Sequence, residues 1–390
     1  MFSQRTNWKL TPNKFTRALE EIRSSNRPLI DLTISNPTTC GLAYDSQAIL
    51  RAFQNANAFN YEPQAKGLLN ARQEVAHYYR DEHNEPVDPN AVILTTSTSE
   101  AYSYIFRLLC DPQDEVLVPK PSYPLFDFLG DLQDVKLIPY SLHYAQGWFI
   151  DFESLRQALT AKTRAILLVH PNNPTGSYVK SEEVRYLNAL CREKQLALIV
   201  DEVFLDYSLE NRPRKSFVGN YEALTFTLSG LSKTAALPQM KVAWMVATGP
   251  DAPTHAALER LEIIADTYLS LSSPTQWAFP ELLAQRKTLK PQLLKRIRNN
   301  WAHLNSSLRD NRVCTLLDVE GGWYAALRIN RNVSDDDLSI ELMQQAGVIV
   351  HPGHFYDFPK DGHLVVSLIS REQDFENGID KLLKHLASRK

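Results

Sequence analysis

Short apolar runs alternate along this chain with segments whose apolar residues recur every three or four positions. The runs fall near 91–97, 115–119, 135–139, 164–170, 196–201, 223–229 and 241–248, and Leu196-Ala-Leu-Ile-Val200 is apolar at every position. A strand without a polar face is one covered on both sides. Helical spacing fills most of the intervals, for example 99–109 and 181–195. This alternation predicts an α/β fold, a doubly wound, mostly parallel sheet with helices on both faces. Ahead of it, Thr11-Pro12 predicts an N-cap and a first-turn proline for a helix that carries Phe15, Leu19 and Ile22 and runs to Asn26. Past residue 286 the pattern changes to a long polar helix over about 289–310, the run Trp323–Ile329, a helix near 335–346 and the run Leu364–Ile369. Such a mixture suits a second, α+β layer, and 390 residues are more than one ordinary core needs, so two domains are expected.

Charge and cysteines narrow the partners. With 42 basic against 45 acidic residues the formal net charge is −3, and no run of like charge marks a nucleic-acid or membrane patch. Small-molecule partners are expected. Cys40, Cys110, Cys191 and Cys314 are scattered without a CxxC pair, which argues against a zinc site or a disulfide framework and for a reducing compartment. The first ten residues have no apolar core of a leader, and no stretch approaches the roughly 18 apolar residues of a membrane span. No membrane association and a cytoplasmic location are the expectations. No G-x-G-x-x-G follows a strand, which disfavours a nicotinamide dehydrogenase.

Four segments carry candidate chemistry. Ser229-Gly-Leu-Ser-Lys-Thr234 places Lys233 just after the apolar strand Ala223–Leu228. A lysine at the mouth of a buried strand is desolvated, which lowers its pKa toward that of a nucleophilic neutral amine able to form a Schiff base. Asp201 ends the strand Leu196–Val200, at the carboxyl edge where open α/β sheets bind ligands. His170-Pro-Asn-Asn-Pro-Thr-Gly176 puts the Asn173 amide on a proline-bracketed turn, and Ser97, Thr98 and Ser99 stand where a strand runs into a helix, suited to cradle an anion.

Asn-Pro-Thr-Gly, then Asp-Glu-Val-Phe, then Ser-x-x-Ser-Lys with a proline five residues on, in this order and spacing, resembles the class I/II aminotransferases of pyridoxal-phosphate fold type I. The resemblance runs from Ile34-Ser-Asn-Pro37 to the last strand. It implies a large domain over 45–286 and a small domain in which 1–44 joins 287–390 and closes over substrate. It implies pyridoxal 5'-phosphate as cofactor, with Lys233 holding it covalently and then moving a proton between the substrate's α-carbon and the cofactor. Asp201 would keep the ring nitrogen protonated, Asn173 would donate to the phenolic oxygen, and Tyr123 would stack on the ring. Ser97, Thr98, Ser99, Ser232 and Lys241 would hold the phosphate. Tyr61 matches the tyrosine that reaches the neighbouring subunit's phosphate, so a homodimer with composite sites is implied. Asn36, Asn173 and Arg371 are the implied substrate contacts, and no metal is expected.

Three departures from the family pattern stand out. Lys241 occupies the usual arginine position eight residues after the lysine, so a planar fork becomes a point charge. Phe204 stands where relatives have a tyrosine that donates to the phenolic oxygen; Tyr207 is close in sequence but points elsewhere on a strand count. Alignment on Ser367 puts Val365 where relatives carry the arginine that pairs with the substrate carboxylate, leaving Arg371 or a histidine of Val350–His354 to substitute. The expected activity is therefore an aminotransferase moving an amino group from an amino acid to a 2-oxo acid in a ping-pong cycle. A β-lyase or decarboxylase on the same fold is the alternative, and a non-catalytic cofactor-binding regulator a further one.

Overall fold

A two-residue strand, β1 (Ile30–Asp31), precedes the seven apolar runs, all of which become strands: β2 (Val92–Thr95), β3 (Glu115–Lys120), β4 (Lys136–Tyr144), β6 (Thr163–Val169), β7 (Ala197–Asp201), β8 (Thr225–Gly230) and β9 (Ala243–Thr248). With the short β5 (Trp148–Ile150) they make one eight-stranded sheet in the order β2-β9-β8-β7-β6-β3-β4-β5. In this sheet β9 and β5 run opposite to the other six strands. This computed structural model describes residues 1–123, 126–210, 214–331 and 333–388.

The apolar strands explain the layers. In β6, Ala165, Leu167 and Val169 enter one core, while Ile166 and Leu168 enter another on the opposite face. Ala197 and Ile199 against Leu198 and Val200 repeat the split in β7. Side chains alternate across a strand, so a run apolar at every position feeds two cores at once. Helices Thr98–Leu109 and Ser181–Lys194 cover the two faces.

The C-terminal part builds its own layer. Strands β10 (Cys314–Leu316), β11 (Tyr324–Ile329), β13 (His351–Pro352) and β14 (His363–Ser367) form a four-stranded antiparallel sheet, and β12 (Val348–Ile349) pairs in parallel with β1. The N-terminal segment continues along the same layer, with the Ser367 N–H donating to the Leu32 carbonyl at 2.7 Å and its hydroxyl to that of Ile34.

Three local expectations shift. The first long helix spans Lys14–Ser24, capped by the Asn13 side chain, which accepts from Thr16 N–H. Asn is at least as strong a cap as Thr, and it leaves Thr11-Pro12 ahead of the helix. The segment near 335–346 is helical over Asp335–Glu341 and then widens into a π-turn over Leu342–Ala346, ended by Gly347. The long polar helix begins a turn early and runs Arg286–Leu308.

Candidate active site

Register brings the four segments to one edge of the large sheet. Val169, Asp201 and Leu228 lie side by side, and Thr95, Ala243 and Gly230 form a second row. The residues just beyond these rows are the His170–Gly176 turn, the Asp201 loop, the turn Leu231–Thr234 and the start of the helix Thr98–Leu109.

Lys233 sits in that single turn after β8. Its Nζ lies 4.8 Å from the ring centre of Trp323 and 5.8 Å from that of Phe204. Desolvation by burial lowers its pKa from 10.5 to about 8, and the Asp201 charge opposes the shift. The main chain beneath it is held from two sides: the Tyr207 hydroxyl donates to the Lys233 carbonyl at 2.5 Å, and the Tyr44 hydroxyl to the Ala236 carbonyl at 2.8 Å.

Asp201 is buried at the end of β7. Burial pushes its carboxyl above the usual range, opposed by the Val203 N–H donating to Oδ1 at 3.1 Å, the Tyr102 hydroxyl donating to Oδ2 at 2.9 Å and the Lys233 charge. Tyr123 is 40% exposed, stands edge-on to Phe126 at 5.7 Å, and has its phenol pKa raised first by desolvation and then by Asp201.

Asn172 builds the turn that presents Asn173. Its Nδ2 donates to the Pro121 carbonyl and to Thr175 Oγ1 at 3.1 and 2.9 Å. Asn173 is buried, and its Oδ1 has no partner among the described residues. Gly176 ends the turn at φ +71°, where a Cβ would lie 2.6 Å from the Gly321 carbonyl. The Gly321 N–H in turn donates to the Gly176 carbonyl at 3.0 Å, so the glycines let the C-terminal layer seat directly on the turn.

At the other end, Ser97 caps the helix Thr98–Leu109, its hydroxyl accepting from Glu100 N–H at 3.2 Å. That leaves the amides of the first helical turn, including Thr98 and Ser99, without intrahelical acceptors. Ser232 is half-buried beside Lys233. Lys241 is exposed in the left-handed region at φ 52°, two residues before the Ala243–Thr95 rung and so at the same edge as Ser97.

The remaining expected contacts differ in exposure. Asn36 is exposed, and its Oδ1 accepts from the Thr38 N–H at 3.1 Å and hydroxyl at 2.7 Å. Arg371 is exposed, with its guanidinium against Gly41. Tyr61 is 81% exposed. Val365 is fully buried and pairs with Ala326 and His351, on the sheet face that also carries Tyr324 and Ser367. His351 brings no charge to that face at neutral pH: burial pulls it to about 4, and its Nδ1 is bonded to the Tyr356 hydroxyl at 2.9 Å. His354 faces Asp336 at 3.6 Å.

Tyr102, Tyr207 and Trp323 were missed as contributors to the site. Tyr102 was findable, since it lies four residues after Thr98 and therefore on the same helix face. The Tyr207 hydroxyl is committed to the lysine's own main-chain carbonyl. Trp323 arrives from another sheet, and nothing local signals that.

A sheet edge that joins a desolvated lysine, a buried aspartate and an open helix N-terminus defines a fold and site of the aminotransferase kind. The chain belongs to the family aminotransferase class I and II, whose model matches residues 4–382. Among curated relatives, glutamate-pyruvate aminotransferase AlaA of Escherichia coli (strain K12) is 24% identical over 385 residues, covering 96% of this chain and 93% of the relative. Alanine aminotransferase of Mycobacterium tuberculosis (strain ATCC 25618 / H37Rv) is 25% identical over 382 residues, covering 94% and 87%. Alanine aminotransferase from Pyrococcus furiosus has the same fold, with a TM-score of 0.89 at 21% identity over 100% of both chains. A Thermus thermophilus aspartate aminotransferase double mutant gives 0.83 at 21% identity over 98% of this chain and 99% of the other. The protein is an aminotransferase, and β-lyase or decarboxylase chemistry is not favoured. Among the described residues no helix is long and apolar enough to cross a membrane.

Proposed function

We propose that this aminotransferase works with pyridoxal 5'-phosphate at the edge that carries Lys233, taking the amino group of an amino acid and passing it to a 2-oxo acid. The observation that carries the reading is Lys233 itself, an amine brought to a pKa of about 8 at the end of β8 within the field of buried Asp201. The donor set fits the group. A buried carboxylate bonded, among the described residues, to the neutral donors Tyr102 and Val203 suits a cationic ring nitrogen, and the Asn173 amide, whose Oδ1 has no partner among those residues, suits a ring substituent. The exposed Tyr123 ring suits stacking.

When bound, the cofactor supplies an aldehyde that accepts the amino group and a ring that draws off electrons. The protein's own groups do the rest. Asp201 holds a proton on the ring nitrogen, supported by the Tyr102 hydroxyl. The free amides of Thr98 and Ser99, with Ser97, Ser232 and Lys241, hold the phosphate, as the neighbouring subunit's copy of Tyr61 does in a homodimer. Lys233 Nζ, neutral in part near pH 8, takes a proton from the amino-bearing carbon and later returns one. Phe204 and Trp323 exclude water around it. Asn36, Asn173 and Arg371 orient the substrate, and residues 1–44 with 287–390 act as the small domain over the 45–286 large one. A glutamate or alanine donor is consistent with what the curated relatives are named for.

The test is to mix the cofactor-loaded protein with single amino acids and simple amines and follow its visible absorption. Conversion to the amine-loaded spectrum by amino acids is expected. Failure with every donor, in protein loaded to full occupancy, would overturn the reading.

A further inference from the structure

Trp323 is fully buried and comes from the layer opposite Lys233, directly before β11. Its ring centre is 4.8 Å from Lys233 Nζ, within the range where an aromatic face attracts an ammonium, and a full ångström nearer than that of Phe204 at 5.8 Å. The indole cannot drift, because Phe204 and Tyr207 brace it at ring distances of 5.3 and 5.2 Å. Its main chain is bolted on both sides, the Leu368 N–H donating to the Trp323 carbonyl at 2.7 Å and the Gly322 N–H to the Tyr207 carbonyl at 2.9 Å. Tyr207 thus fixes both partners, since its hydroxyl also binds the Lys233 carbonyl.

We propose that the indole face of Trp323 is the seat of the free Lys233 amine, stabilising its ammonium form between proton transfers, and that Trp323 is thereby a catalytic residue of this enzyme. The contact makes and breaks no covalent bond. It biases an acid–base equilibrium, and it rests on the reading of Lys233 as the proton-carrying amine. The charged and titratable groups that face the amine are Asp201 from the end of β7, with Tyr102 and Tyr123 around that carboxylate, and the hydroxyls of Tyr207 and Tyr44 on the turn's carbonyls. Asp201 and the indole favour the ammonium, while burial favours the neutral amine. The balance leaves an amine able both to accept and to release a proton near neutrality.

The experiment uses the full chain loaded with pyridoxamine phosphate, in which Lys233 is free. Competitive acetylation across pH, read by peptide mass mapping, gives a titration midpoint for Lys233 and for exposed lysines as internal controls. Removing the ring while keeping an apolar wall should lower the Lys233 midpoint by about one pH unit in Trp323→Leu, and by less in Trp323→Phe, whose face is weaker. The expected order of midpoints is wild type, Phe variant, Leu variant, from high to low, with the control lysines unmoved. Should the Leu variant fail to fold, a Phe variant below wild type still supports the proposal. An unchanged or raised midpoint in either variant overturns it. The role of Lys233 in holding the cofactor is judged separately, by where reduction fixes the cofactor, so the two readings fail independently.

Discussion

Replacing Lys233 should make the cofactor-free protein more stable. Burial moves the Lys233 amine from 10.5 to about 8. At neutral pH the folded chain therefore carries a charge in a place that disfavours it, at a cost of about 3 kcal/mol, each pH unit being worth about 1.4 kcal/mol. Lys233→Met keeps the apolar stem against Trp323 and Phe204 and removes the charge. The sign follows from proton binding. Below pH 8 the amine is charged in both folded and unfolded chains and the cost is constant; between about 8 and 10.5 the unfolded chain binds more protons, so wild-type stability rises with pH; above 10.5 the cost is gone. Urea unfolding of both proteins at pH 6.5, 8, 9 and 10 should show a gain of about 2–3 kcal/mol for the variant below pH 8, shrinking toward zero near 10.5. A difference that stays constant across this range would refute the claim that burial of the amine sets the site's chemistry.

Two further substitutions test the departures from the family pattern. Phe204 lies within 5.8 Å of Lys233 Nζ and donates nothing, and the Tyr207 hydroxyl is committed to the Lys233 carbonyl, so Phe204→Tyr should lower the pH at which the bound chromophore loses its proton. An unmoved midpoint in a visible titration would mean that another donor already serves the phenolic oxygen. Since Val365 offers no charge, Arg371→Ala should slow the half-reaction with amino acids by orders of magnitude while cofactor loading stays intact, matching the roughly 2–5 kcal/mol expected when a desolvated carboxylate loses its cation. Wild-type rates in stopped-flow absorption would remove Arg371 from the substrate site.

The parts of this molecule that were legible in the sequence are those where one segment determines its own surroundings. Strands β6 and β7 are apolar at nearly every position because both faces are covered, and that requirement is written residue by residue. Lys233, Asp201 and Asn173 could be read as neighbours because Asp201 ends β7 while Lys233 and Asn173 lie in the turns that leave β8 and β6, and parallel strands deliver their carboxyl ends to one edge. Strands β1, β10, β12 and β13 were not findable: they are two or three residues long, too short to show a period, and β1 and β12 pair only with each other from opposite ends of the chain. Trp323 was visible as the start of an apolar run, but its place over the lysine depends on Gly321 meeting Gly176, a contact between two layers. The Thr11-Pro12 signal lost to Asn13 because equivalent caps compete and packing of Phe15, Ala18 and Ile22 settles the register.

The central claim is that Lys233 holds pyridoxal phosphate covalently. Borohydride reduction of the loaded protein, followed by proteolysis and mass mapping, tests it most directly. The account predicts a stable pyridoxyl label on the peptide containing Ser229–Thr234, at Lys233, and none in Lys233→Met. A label on another lysine, or none in fully loaded protein, would contradict it.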